Sequence, residues 1–221
     1  MQKLNHLTNN IKALINIFKD ARKNTGVLNF LLAYTLYNDG VQAVIVLSAL
    51  FASAELKLEM EVIILAILIV QFIAVLGAII FNLIAKYTNN LFALKSNLML
   101  WIAAIMFAFF ILYSKTEFYI MCCIVGLVMG GTQAISRSIY SQLIPANKEA
   151  EYFSIYELSE KGTSWLGPLI FAIIYNFTTS YRLAILSLAL FFLLGFIILQ
   201  VNKKKLHKKI CKKNFKKISI K

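Results

Sequence analysis

The 221-residue sequence is poor in the residues that punctuate soluble folds. It has two prolines, nine glycines, three cysteines and two histidines, and 15% of its residues are charged. So little proline and glycine excludes collagen-like and loop-rich scaffolds. Cys122 and Cys123 are adjacent in an apolar run and Cys211 is in a basic tail, so they form no disulfide framework or metal-ligand spacing. His6 and His207 lie outside the apolar runs, which removes histidine triads and histidine-rich metal sites from them. No Gly-x-x-x-x-Gly-Lys-Ser/Thr loop is present, so the chain has no nucleotide motor of that type. No polar stretch is large enough to fold as an enzyme domain. The expectation is a non-enzyme with no cofactor and no metal.

What the sequence has is apolar. Hydrophobic residues make up 60% of it, and mean hydropathy is +0.73, well beyond a soluble domain. Runs of about 20 apolar residues cross a bilayer as helices. Six are present, at 27–53, 61–85, 92–113, 117–143, 152–176 and 181–202. They are continuous rather than alternating, which excludes barrel strands. The first is too long for a signal-peptide core. Short connections make neighbouring helices antiparallel. The pattern predicts an all-α, six-transmembrane-helix bundle over 27–202. Before it, residues 1–26 carry Ile11, Leu14, Ile15 and Phe18 on one helical face, which reads as an interfacial amphipathic segment or a linker. After it comes a Lys-rich tail, 203–221.

The net charge is +13, and ten lysines of 203–221 supply most of it. No basic groove interleaved with aromatics exists to track a nucleic-acid strand, so the expected surface partner is the lipid bilayer. Nineteen Lys and Arg residues fall on the side of the termini, against Lys57, Lys115 and Arg182 opposite. The positive-inside rule then puts both termini in the cytoplasm.

Ionisable groups inside spans are costly and mark interiors or solute paths. Asp39 lies deep in span one, within Asn38-Asp39-Gly40. Arg137 is in the inner third of span four, and Glu157, Glu160 and Lys161 are in span five. Glu157 and Lys161 have the spacing of a helical ion pair. Each has a structural alternative: a hydrogen-bonded carboxylate for Asp39, snorkelling for Arg137, self-neutralisation for the pair. The small residues Gly126, Gly130 and Gly131 suit close helix packing, and Gly167-Pro168 suits a kink. Trp101 and Trp165 read as packing residues. By polarity, spans one, four and five face an interior, whereas three and six face lipid. That period of three suggests two related triplets.

The order of several motifs resembles a known family. Phe30-Leu31-Leu32-Ala33-Tyr34-Thr35-Leu36-Tyr37-Asn38-Asp39-Gly40-Val41-Gln42 is similar to the opening of the C-terminal half of one branch of the major facilitator superfamily. That branch is the vacuole-effluxer-like family named for its autophagy-related fungal members. Gly126 to Ser138, Leu143-Ile144-Pro145, Glu149 to Phe153, Lys161, Leu166-Gly167-Pro168 and Arg182 to Ser187 fit in order. The resemblance implies secondary transport of small solutes by alternating access, with amino acids associated with fungal members. By position it makes Asn38, Asp39, Gln42, Gln133, Ser136 and Arg137 substrate-binding or gating candidates, beside Glu157 and Lys161.

Family members have about twelve spans, so the resemblance implies one half of such a transporter. Residues 1–26 resemble the connector between halves. A separately encoded N-terminal half, or a second copy in a homodimer, is the implied partner. The alternative is a transport-inactive remnant or membrane interaction subunit from a split gene. Twenty Lys against three Arg, with abundant Ile and Asn, fit an AT-rich bacterial genome and hence a bacterial cytoplasmic membrane.

Overall fold

The computed structural model describes residues 25–145, 147–206 and 210. Their elements are all helices: α1 (Thr25–Ala54), α2 (Met60–Tyr87), α3 (Asn90–Phe110), α4 (Lys115–Leu143), α5 (Glu149–Gly162), α6 (Leu166–Thr178), α7 (Tyr181–Ser187) and α8 (Ala189–Val201). The expected interfacial segment and nearly all of the lysine tail lie outside the described residues.

Five stretches are long and apolar enough to cross a membrane: α1, α2, α3, α4, and α7 with α8 as Tyr181–Val201. Three of them begin at a side chain that caps their free N–H groups. Ser114 and Glu117 form a reciprocal capping box at α4. Asn89 accepts from Phe92 N at 2.8 Å at α3, and Ser180 caps α7.

The fifth apolar run is not one helix. It divides into α5 and α6 around Thr163, Ser164 and Trp165. Proline explains the position. A helical Pro168 cannot donate to the carbonyl of Ser164, and its ring would strike that carbonyl. The helix therefore stops before that turn and restarts, placing Pro168 in the first turn of α6, where a missing N–H does no harm. The kink expected at Gly167-Pro168 is thus a break one turn upstream. The charges of α5 suit a short helix: Glu149 and Glu151 in the first turn and Lys161 in the last oppose its dipole.

The bundle packs through small residues. A Cβ on Gly126 would stand 2.7 Å from Val70 O, and one on Gly130 would collide with the Ala74 carbonyl. Gly77 likewise faces the backbone of Leu127. So α2 and α4 touch backbone to backbone. On the other side of the bundle Gly40 of α1 faces Phe191 and Phe192 of α8, and Gly195 of α8 faces Tyr37. Gly167 of α6 rests on Ala43 and Asp39 O.

Two expectations about faces are corrected. Span three is not a lipid-facing helix: Leu94, Leu98 and Trp101 of α3 are fully buried. Trp101 stacks on Phe192 with centroids 5.0 Å apart. The most exposed span is α2, with 17% of its most apolar window buried. Counting polar residues ranks spans poorly, because α3 packs through apolar side chains and one buried amide. Trp165 is 58% exposed rather than packed, and its indole N–H donates to Gly162 O at 3.1 Å.

That amide is Asn97. It donates to Val128 O at 3.0 Å. The Thr132 hydroxyl lies 2.6 Å from Asn97 Oδ1 and 2.7 Å from Val128 O, and accepts from Trp101 Nε1 at 2.8 Å. The network is buried and complete, as polar groups in an apolar interior require.

At the opposite end from Asn29 and Asn202, which bond at 2.6 Å, Arg182 gathers three helix ends. It donates to Glu55 Oε1 at 3.0 Å, to Phe109 O at 3.1 Å and to Leu112 O at 2.5 Å. The guanidinium lies 4.0 Å from the Tyr113 ring centroid. One side chain therefore closes the C-terminal carbonyls of α3 and ties α7 to the end of α1.

Candidate functional site

The site candidates sit on α1, α4 and α5, and burial divides them into two groups. Asn38, Asp39 and Ser136 are buried. Gln133, Arg137, Glu157 and Lys161 are exposed, and Gln42 is half-buried.

In the buried group, tyrosines hold the helices together. Tyr37 and Ser136 share a hydrogen bond of 2.7 Å between α1 and α4. Tyr34 OH donates to Glu160 Oε2 at 2.8 Å, linking α1 to α5. Asn38 Nδ2 donates to Glu160 O at 3.3 Å, close to the end of α5. Tyr34 stacks on Tyr156 with centroids 4.1 Å apart. Tyr140 lies 4.9 Å from Tyr156 and donates to Tyr152 O at 2.7 Å. Each phenol offers an apolar ring for packing and a hydroxyl that needs a partner.

Asp39 differs from all of these. It lies at the middle of α1 with 0% exposure. Neither carboxylate oxygen has a hydrogen-bond partner among the described residues. Thr163, at the helix break, is close enough to act on the carboxylate, but its hydroxyl donates back to Ser159 O at 3.2 Å.

In the exposed group, the expected ion pair is absent. Glu157 and Lys161 are both exposed and do not meet within ion-pair distance. Sequence spacing allows that pair, but both side chains are exposed on α5 and stay apart. Arg137 reaches the hydroxyl of Tyr156, which also feels the Glu160 carboxylate. Arg137 and Glu160 therefore flank one phenol without pairing with each other. Gln133 and Arg137 are four residues apart and share one face of α4. Gln42 and Gln133 make no hydrogen bond to another described residue.

Glu160, Tyr34 and Tyr156 are residues that reading by span polarity missed as site members. Glu160 was visible as a charge within span five, but spacing favoured its neighbour Glu157. The tyrosines carried no signal beyond their number. Among the described residues no group of three His, Cys, Asp or Glu side chains could hold a metal ion.

A family model described as "Vacuole effluxer Atg22 like" matches residues 1–209. The chain is 29% identical over 191 residues to the "Uncharacterized MFS-type transporter YxiO" of Bacillus subtilis, covering 86% of this chain and 44% of that protein. It is 30% identical over 210 residues to "Autophagy-related protein 22" of Saccharomyces cerevisiae, covering 89% and 39%. The corresponding protein of Vanderwaltozyma polyspora is 30% identical over 214 residues, covering 87% and 40%. The chain thus spans about two fifths of the length of the curated relatives it matches.

Proposed function

The chain belongs to the vacuole effluxer Atg22-like family, and from that premise we propose that it forms one half of a secondary transporter for small solutes. It is a multi-pass membrane protein from a transporter family rather than an enzyme family. In this reading, α1 to α8 are a six-span half-bundle of the major facilitator fold, with the broken α5–α6 pair as its fifth span. The other wall of the pathway comes from an N-terminal half or a second copy. Both termini face the cytoplasm of a bacterial cell, residues 1–26 serve as an interfacial connector, and 203–221 lie on anionic lipid.

The observation that carries this reading is the exposed polar face. Arg137 and Gln133 of α4 and Glu157 and Lys161 of α5 are exposed, whereas the exposed surface of α2 is apolar apart from Gln71, Asn82 and the charged ends Glu61 and Lys86. Charges facing hydrocarbon are unfavourable by roughly 2.5–3.5 kcal/mol each at mid-membrane. A second half would cover that face and leave a polar pathway at the midplane. The Arg137–Tyr156–Glu160 arrangement suits a solute with both charges. An α-carboxylate meets the guanidinium and an ammonium meets the carboxylate, which fits an amino acid. Asn38, Gln42 and Ser136 position or gate beside it.

The test is flux of radiolabelled amino acids into proteoliposomes holding the chain alone and with candidate N-terminal halves. Flux that is lost in Arg137→Ala at unchanged protein level supports the reading. No flux with any partner is the result a transport-inactive membrane subunit would give.

A further inference from the structure

At the end of the bundle where Asn29 meets Asn202, two lysines stand together without an acid. Lys95, in the second turn of α3, is half-buried and donates to Gln200 Oε1 of α8 at 2.9 Å. Lys203, three residues beyond Gln200, is close enough for its charge to act on the Lys95 ammonium. Like charges repel, and an anion between them removes that cost. Neither lysine is in an ion pair among the described residues. Helices α3 and α8 carry no Asp or Glu, and neither do residues 202–206. The acids at this end among the described residues, Glu149 and Glu151, start α5, which is joined to α1.

The position of Lys203 is built into the bundle. Beyond α8 the chain makes one more helical turn, closed by Leu206 N donating to Asn202 O at 3.0 Å. Both ends of that turn are anchored: Asn202 bonds to Asn29 of α1 at 2.6 Å, and Leu206 is fully buried. Lys203, Lys204 and Lys205 between them are exposed. Lys95 uses one of its ammonium donors on Gln200 and keeps two for another acceptor. Toward the middle of the bilayer the same surface turns apolar. Met99, one turn along α3 from Lys95, and Ile197, one turn back along α8 from Gln200, are each 52% exposed. Leu193, two turns back, is exposed as well. The seam between α3 and α8 is therefore cationic at its end and apolar along its length.

We infer that Lys95 and Lys203 form a binding site for the phosphate of an anionic phospholipid, whose acyl chains lie along Met99 and Ile197. A phosphodiester carries one negative charge on two free oxygens, one for each ammonium, and charge-assisted bonds of this kind are the strong ones. The lysine stems lie along the helix surface while their heads reach headgroup level. A free phosphate would share the recognition chemistry, but it has no use for the apolar seam; an amphiphile matches both parts. The inference rests on the reading that this end of the bundle meets anionic lipid, and adds that two named ammonium groups on different helices hold one headgroup there. It shares no residue with the solute candidates of α1, α4 and α5.

The experiment is native mass spectrometry of the full chain in detergent, titrated with phosphatidylglycerol or with phosphatidylcholine, whose choline cancels its charge. The first phosphatidylglycerol should be held more tightly than phosphatidylcholine. Lys95→Gln should weaken that first binding about fivefold, and Lys95→Arg should keep most of it. Lys212→Gln combined with Lys213→Gln, in the tail, should leave it unchanged. Equal weakening by Lys95→Gln and by the tail variant is the result of a diffuse attraction to 203–221; it overturns the site and leaves the tail reading in place. No preference for phosphatidylglycerol overturns both. Inorganic phosphate that displaces the lipid at equal concentration gives the site to the free ion and overturns the lipid assignment. Should Lys95→Gln not fold, Lys203→Gln leaves α3 and its bond to Gln200 intact. It should weaken binding to the same extent, and wild-type affinity in that variant overturns the pairing. Lipid retention is read without solute flux, so a chain that moves no solute still reports on this site.

Discussion

The seam between α2 and α4 and the break between α5 and α6 are opposite solutions to packing in a membrane. In the seam, Gly77, Gly126 and Gly130 bring two backbones into contact over several turns. No side chain stands between them, so little can slide or rotate. At the break, a helix ends in mid-span and its carbonyls are closed by Asn38, Ser164, Thr163 and Trp165. These side-chain bonds can be exchanged without disturbing the core. The seam holds shape, and the break can change it. The candidate site residues of α1 and α5 gather at the break, and none of the polar ones lies in the seam.

The comparison breaks most readily at Gly130. Gly130→Leu forces a branched side chain into the Ala74 carbonyl, and should cost about 3 kcal/mol. The monodisperse fraction after detergent extraction should collapse; a wild-type yield would show that the seam is looser than its geometry. Next is Arg182→Gln, which strips partners from Glu55 and from the carbonyls of α3. A loss of about 2 kcal/mol is expected, read as a lowered Tm that Arg182→Lys restores only in part. Asn97→Leu removes the amide that Thr132 and Val128 O share. In membranes such bonds are worth about 0.6 kcal/mol on average, so a shift larger than that of Arg182→Gln would contradict the ordering. Smallest for stability is Lys161→Ala on the exposed face, within about 0.5 kcal/mol. If that variant lowers Tm as much as Asn97→Leu, the exposed face is structural rather than a pathway wall.

The spans were legible because their signal is additive over many residues. The run read at 61–85 is α2, Met60–Tyr87, and that at 117–143 is α4, Lys115–Leu143. The break was half legible. Pro168 announced it, and the proline's clash one turn upstream fixed its place at Ser164. Contacts between spans were much less so. Asn97 looked like a polar residue near a helix end, yet it is fully buried because Val128 and Thr132 of α4 close over it, with Trp101 one turn along its own helix. Glu157 and Lys161 had ideal spacing but do not pair, since local periodicity fixes a face and not a rotamer. Asp39 was prominent as a charge, while its lack of partners depends on three other helices.

The seam also sets an order of assembly. Helix α2 has the highest mean hydropathy of the spans, 3.1 in its best window, and can enter the bilayer unaided as it leaves the ribosome. Its glycine-lined face must then wait in lipid until α4 emerges, because α3 lies between them in the chain. Helix α5, with four glutamates and Lys161 in 14 residues, has no such independence. It enters with help from residues already in place, Tyr34 and Asn38 of α1. Biogenesis thus runs from a self-inserting scaffold to a dependent segment, and the last region to be secured is the one around Asp39.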